Sequence, residues 1–231
     1  MMNWRQEIDK WLRVSVRREM LDSDLEPLRK LMVGRVLEIG SGHKGRRGQF
    51  KPPFSEAESW QYLSLDATQR PDIVADVGEP PLKKGSFDCL LCLEVLEYVK
   101  EPAQTLITMR RLLGQDGRLI LSVPFMHRID SSDDYWRFST HGLTLLLLKA
   151  GLRPTYIKNQ GAALAVAVNI LKYSLHVQED HRREWRARIA RPMLDALLLN
   201  DQELADRFST LASFTTGILC VAVNLPEQGS K

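Results

Sequence analysis

Apolar positions along this chain follow two rhythms. Short runs rich in Val, Ile and Leu read as strands at Arg35 to Ile39, Trp60 to Leu65, Pro71 to Ala75, Phe87 to Leu93, Arg118 to Val123, Leu152 to Lys158 and Phe214 to Asn224. The run at 87–93 is apolar at nearly every position, the mark of a strand covered on both faces. Between the runs the spacing turns helical. Pro102 to Leu113 opens on proline and stops at Gly114, and Thr140 to Ala150 is closed by Gly151. Trp4, Ile8, Trp11 and Leu12 predict one N-terminal helix, with a second starting after Ser23-Asp24. Residues 161–211 read as a long helical stretch before the final strand. Strands alternating with helices at these intervals predict a doubly wound α/β domain, whose ligand lies beyond the carboxyl ends of its strands.

The first run ends in Val36-Leu37-Glu38-Ile39-Gly40-Ser41-Gly42-His43-Lys44-Gly45, a strand passing straight into glycines. Gly40 and Gly42 suit a tight turn that a ligand can approach closely. Asp66, after the second run, is placed to accept hydrogen bonds from ribose hydroxyls. The Gly-x-Gly-x-x-Gly spacing matches a dinucleotide fingerprint, but two features disfavour a pyrophosphate. Glu38 puts a negative charge beside the turn, and no amphipathic helix opens at Gly42 to receive phosphates. A ligand with a positive amino group or sulfonium and an adenosine without phosphates fits better.

Size and composition narrow the class. The chain has 231 residues, 44% hydrophobic and 26% charged, which is ordinary for a globular protein with a substantial core. A net charge of +3 gives no support to nucleic-acid binding. Cys89, Cys92 and Cys220 all fall in strand runs, and Cys89-x-x-Cys92 on a strand points to opposite faces, so buried thiols are expected and no metal site. The polar start, Met1-Met2-Asn3-Trp4-Arg5, predicts no signal peptide, and Gly161 to Leu171 is too short to span a bilayer; the expected location is the cytoplasm.

Five ordered segments together resemble the class I S-adenosylmethionine-dependent methyltransferases. They are Glu38-x-Gly40-x-Gly42, Asp66, Ala75-Asp76, the run Ser86 to Val99 that includes Leu93-Glu94, and Gly114 to Pro124. The resemblance covers about residues 33–157. It implies a mostly parallel seven-stranded Rossmann-like sheet with an antiparallel last strand, and S-adenosyl-L-methionine as cofactor. It also implies cofactor contacts from Glu38, Gly40, Gly42, Asp66, Leu93 and Glu94, with Asp76 meeting the adenine amine and Val77 the base. Tyr98 departs from the family, which often has histidine near there, and so does the stretch His43 to Glu58, where a helix is usual. The corresponding organisation is an N-terminal helical segment (1–32), a cofactor-binding core (33–160 and 212–226) and a helical insertion (161–211).

The acceptor side is expected in Pro124 to Phe138, which leaves the fifth strand at its carboxyl end and concentrates His127, three aspartates, Tyr135, Trp136, Arg128 and Arg137. It resembles a proline-to-Asp-Tyr-Trp-Arg loop of methyltransferases in bacterial glycan and natural-product pathways. Methyl transfer from a sulfonium depends on alignment, and a hydroxyl nucleophile also needs its proton removed. The candidate base is His127, with Asp133 or Asp134 orienting it or acting instead. Arg137 is a candidate for a substrate carboxylate or phosphate, and Phe125, Tyr135 and Trp136 for substrate contact. A plainer reading makes Asp134 and Arg137 an ion pair beside a helix capped by Ser139, with Trp136 in the core.

Two basic clusters remain. Lys44, Arg46, Arg47 and Lys51 read as a solvated loop or an anion contact. His181 to Arg188, together with the Ala/Val/Leu-rich stretch Ala162 to Leu175 of the helical insertion, reads as a helical cover with a solvated basic face, a lid over the pocket, a homodimer surface or a peripheral contact with an anionic membrane. The function expected is O-methylation of a small molecule or glycan. The rivals are a non-catalytic scaffold or sensor of the same fold, and a nicotinamide-dependent oxidoreductase. A protein or RNA methyltransferase is disfavoured by the lack of an Asn/Asp-Pro-Pro-Tyr-like motif and of an appended nucleic-acid module.

Overall fold

A computed structural model describes residues 3–43, 48–178 and 182–224. The strands are β1 (Gly34–Ile39), β2 (Ala57–Ser64), β3 (Ile73–Val74), β4 (Phe87–Leu93), β5 (Leu113–Pro124), β6 (Leu152–Gln160) and β7 (Gly217–Asn224). They form one sheet in the order β3-β2-β1-β4-β5-β7-β6. All neighbours run parallel except β7, which is antiparallel to both β5 and β6. Strand order reverses between β1 and β4, so the carboxyl ends of these two central strands open the crevice where a ligand can enter.

Each central strand feeds both faces of the sheet, because successive side chains alternate. Leu37, Ile39, Leu90, Cys92, Leu119 and Leu121 pack beneath α3 (Pro102–Leu112) and α4 (Thr140–Lys149) through Leu106, Met109, Leu143 and Leu147. Val36, Cys89, Leu91, Ile120, Leu219 and Val221 face the other way. Cys89 and Cys92 thus lie on opposite faces, and burial pushes the Cys89 thiol up to about 12.

The second face is covered in an unusual way. Among the described residues the β1–β2 connection contains no α-helix, only a 3-10 turn at Phe54–Glu56, and it sends Phe50 into the layer. Cover comes instead from the N-terminus: Leu21 and Leu25 of α2 (Val16–Leu25), then Leu28 and Met32 around the 3-10 segment Glu26–Leu31. The helix expected at 3–31 divides earlier than its sequence suggests. α1 (Trp4–Arg13) ends at Val14, and the Ser15 hydroxyl caps α2 by accepting from the Arg18 amide at 3.1 Å. Ser23-Asp24 closes α2 rather than opening a helix, and Asp24 accepts from Lys158 Nζ at 2.5 Å and Gln160 Nε2 at 3.2 Å on β6.

β2 begins three residues earlier than the apolar run suggests, and β5 extends back to Leu113. After β6 the chain builds α5 (Ala163–His176), α6 (Arg183–Arg207) and α7 (Ser209–Ala212). α5 packs on α2, and α6 packs on α5 and α1, which carries this helical layer over the end of the sheet. Asp201 of α6 ties the layer down, accepting from the Ala162, Leu164 and Ala165 amides at 2.7–3.0 Å at the otherwise uncapped start of α5. Among the described residues no helix is long and apolar enough to cross a membrane.

Candidate active site

A cavity of about 1440 Å³ opens beyond the carboxyl ends of β1, β2 and β4. Its cofactor-like wall comes from the strand ends: Glu38, Gly40, Asp66, Asp76, Val77, Leu93 and Glu94 all line it. Opposite stand α2 with Arg17, α5 with Asn169, Lys172, Tyr173 and His176, and the post-β5 loop with His127, Asp130 and Tyr135.

The turn after β1 needs its glycines. Gly40 has φ +79°, and a Cβ there would lie 2.3 Å from Val95 Cγ2. A Cβ on Gly42 would lie 2.2 Å from the Gln69 carbonyl, so Gly42 lets the β1 turn close on the turn after β2 and is not part of the cavity wall. Glu38 is buried and accepts from Trp60 Nε1 at 3.1 Å.

Asp66 lies two residues past β2 and is exposed. Its carboxylate accepts from Thr68 N at 2.9 Å, Thr68 Oγ1 at 2.6 Å and Gln69 Nε2 at 3.2 Å. The Thr68 hydroxyl bond, with the others, holds its pKa below the usual aspartate value, so it stays anionic. Asp76 follows β3 and accepts from the Gly78 amide at 2.7 Å, with buried Val77 between them.

The post-β5 loop sorts its residues. His127 lines the cavity, and burial first, then the nearby Arg17 charge, lower its pKa, so it is a neutral imidazole at pH 7. Asp134 and Arg137 do not line the cavity; they form a two-toothed ion pair in which the Asp134 side chain is only 1% exposed. Arg137 also donates to the Arg128 carbonyl at 2.9 Å, so the pair clamps the loop on itself. Tyr135 lines the cavity while its hydroxyl donates to Asp133 at 2.8 Å; Trp136 Nε1 donates to the Val99 carbonyl at 2.8 Å. Phe125 and Trp136 lie outside the cavity wall. Of the basic β1–β2 cluster, Lys44, Arg46 and Arg47 lie outside the described residues.

At the inner end of the cavity, residues that the sequence analysis does not name gather around Glu94. Arg17, 3% exposed, reaches from α2 to grip both Glu94 oxygens, one from Nε at 2.7 Å, and also donates to Gln160 at 3.2 Å. Ser122 Oγ donates to Glu94 at 2.7 Å. Glu94 itself sits at φ +59°, a conformation rare outside glycine that its partners must hold. Beside it, Glu97 is buried with Oε2 unpartnered, and Tyr98 donates its hydroxyl to Asp130 at 2.8 Å. Of these, the family resemblance singles out Glu94 and Tyr98; nothing in the sequence analysis points to Arg17, Ser122 or Glu97.

Residues 57–121, from β2 through most of β5, match the family model described as a methyltransferase domain. Over those residues the chain resembles a methyltransferase domain, in keeping with a class I S-adenosylmethionine-dependent enzyme. Solved structures agree on the fold. A geranyl diphosphate methyltransferase in complex with S-adenosylmethionine shares it with a TM-score of 0.57 at 13% identity, over 88% of this chain and 85% of that one. The cyclase SpnF has a TM-score of 0.55 at 14% identity, over 89% of this chain and 80% of its own. At such identities these show the methyltransferase fold alone. A stretch of 51 residues is 41% identical to an uncharacterised 37.1 kDa protein in transposon TN4556 of Streptomyces fradiae, covering 22% of this chain and 15% of that protein.

The donor set around the cavity fits S-adenosylmethionine. Carboxylates at Glu38, Asp66 and Asp76 suit an amine and ribose hydroxyls, and apolar Val77 suits a base. The orphaned acid Glu97, and a glycine turn from which no helix opens among the described residues, suit a cation better than a pyrophosphate.

Proposed function

We propose that this chain methylates a hydroxyl of a small-molecule or glycan acceptor. The observation that carries the reading is one continuous cavity. It joins the Glu38–Asp66–Asp76 wall to a neutral, half-buried His127 on the far side. When bound, S-adenosylmethionine supplies an electrophilic methyl group on a sulfonium. Glu38, Asp66, Asp76 and Val77 hold its adenosine and amino-acid parts, with Gly40 keeping the turn low and Leu93 and Glu94 forming the cavity floor.

His127 accepts the acceptor's hydroxyl proton; its lowered pKa keeps the ring nitrogen free for that at neutral pH. Tyr135 contributes an aromatic edge for the acceptor. Asp134 and Arg137 act through the loop: by clamping residues 128–137 they fix where His127 stands. The 161–211 stretch serves as a cover, because α5 supplies the outer wall of the acceptor side through Lys172, Tyr173 and His176. Lys172 is already neutralised by Glu19 at 2.9 Å, which favours an uncharged face of the acceptor at that wall.

Calorimetric titration with S-adenosylhomocysteine, with NADH in parallel, tests the reading. Micromolar binding of the homocysteine nucleoside, weakened in Asp66→Ala and absent for NADH, is expected. Binding of NADH alone would overturn it in favour of an oxidoreductase. Tight nucleoside binding with no methyl transfer to any hydroxylated acceptor would favour a scaffold of the same fold.

A further inference from the structure

Glu97 lies in the 3-10 turn Leu96–Tyr98, three residues beyond Glu94. It is 2% exposed, it lines the cavity, and its Oε2 has no hydrogen-bond partner. Its main-chain carbonyl accepts from the Tyr135 and Trp136 amides at 2.9 and 3.2 Å, so the turn is rigidly tied to the acceptor-side loop.

The groups around it explain its state. Glu94 and the Cys92 thiol face it from β4, Arg17 from α2, and Asp134 with Arg137 from the post-β5 loop; the neighbouring Tyr98 phenol is occupied by Asp130. Both cations are spent, Arg17 on Glu94 and Arg137 on Asp134. A second carboxylate charge here would be desolvated and beside a like charge, and burial followed by Glu94 raises its pKa to about 9. The two-toothed grip of Arg17 and the Ser122 hydroxyl both fall on Glu94. No such donor reaches Glu97 Oε2, so Glu97 holds its proton.

We propose that Glu97 is the proton-carrying counter-group of this pocket: a neutral acid while the cavity holds no net positive charge, and a carboxylate once a cationic sulfonium ligand fills it. The inference rests on the cofactor reading above. No covalent bond between heavy atoms changes; the Glu97 hydroxyl loses its proton to solvent, and the resulting charge balances that of the ligand. S-adenosylhomocysteine has the same adenosine and amino-acid groups but a neutral thioether, so it leaves Glu97 protonated. The pocket thereby distinguishes substrate cofactor from product by charge alone.

The sign of the pH dependence follows from linkage. Below pH 9 a sulfonium must expel a proton to bind well, so its affinity rises with pH while that of the thioether does not. The test is calorimetry of both ligands on the intact protein at pH 7.5, in buffers of different ionisation enthalpy, which counts protons released. S-adenosylmethionine is expected to release at least about half a proton more than S-adenosylhomocysteine, and the difference is expected to vanish in Glu97→Gln. The ratio of the two affinities in the unaltered protein should rise by up to about tenfold per pH unit between pH 7 and 9. Equal proton counts, a difference that survives in Glu97→Gln, or a flat ratio would overturn the inference while leaving the cofactor reading intact. The flat-ratio arm needs no variant, so it decides the matter even if Glu97→Gln does not fold. Binding of neither ligand would overturn the cofactor reading and this inference with it.

Discussion

Arg17 of α2 grips Glu94 at the end of β4 with two nitrogens, across 77 residues of sequence and under almost complete burial of the guanidinium. The pair joins the N-terminal helices to the strand whose end forms the cavity floor. It also holds Glu94 in a left-handed conformation that few residues adopt unaided.

Arg17→Met leaves the Glu94 charge half-buried and without its counter-ion. A loss of about 3 kcal/mol in urea-unfolding stability is expected, the scale for breaking a buried ion pair from one side. Arg17→Lys is expected to recover only part of it, because a lysine cannot span both oxygens. Equal stability of Arg17→Met and the parent would show that the pair is dispensable.

Gly217 opens β7 against that guanidinium: a Cβ there would lie 1.4 Å from Arg17 Nη1 and 2.6 Å from the Val123 carbonyl. Gly217→Ala is therefore expected to eject Arg17 and to lower the melting temperature by about as much as Arg17→Met does. An alanine variant that melts with the parent would place the guanidinium elsewhere.

His127 is neutral in the folded protein because burial disfavours its cation. Methyl transfer to a hydroxyl should hold steady from neutral pH downward until it falls on an acid limb below pH 6.5, the ordinary histidine value. His127→Gln should lose about a hundredfold or more in kcat while binding S-adenosylhomocysteine unchanged. A pH–rate profile of kcat with no acid limb, or a variant with full turnover, would remove His127 from the proton path.

Asp134 and Arg137 make the opposite forecast. The Arg137 hydrogen bond holds the Asp134 carboxyl below its ordinary value of 3.8, so the pair stabilises the fold fully above that value and loses its contribution as pH falls through the lowered one. Asp134→Ala should cost about 3 kcal/mol in stability and leave S-adenosylhomocysteine affinity within about twofold. Unchanged stability with collapsed ligand affinity would put the aspartate in contact with the ligand instead.

What could be read from the chain beforehand was local. The alternation of strand runs gave the sheet, the glycines at 40 and 42 marked the first turn, and acids just past strand ends marked the wall at Asp66 and Asp76. These signals survive because each depends on neighbours within a few residues. Arg17 looked like one more basic position on a short helix, and only the fold reveals that it meets Glu94, Gln160 and Gly217. Lys172 and Tyr173 lie in an Ala/Val/Leu-rich stretch for which a lid over the pocket is one reading among several, and nothing local marks these two residues as the ones that line it. Gly42 had the right residue type for a different reason, since its missing side chain admits the Gln69 carbonyl. The α1–α2 break lies earlier than Ser23-Asp24 suggests: that pair has the residue types of a helix start, but the Asp24 carboxylate serves β6, while the working cap, Ser15, follows the extended Val14.

β6 and β7 are hydrogen-bonded neighbours whose paired ends are Gln160 and Gly217, the last residue before the α5–α7 excursion and the first after it. The 56-residue detour therefore leaves and rejoins the sheet at one point, and its length does not enter the strand register. Insertions, deletions or wholesale exchange of helices there are tolerated by the sheet far better than changes within it. Descendants of this fold can therefore remodel the α5 side of the cavity by swapping that excursion while inheriting the strand-end wall beneath it unaltered.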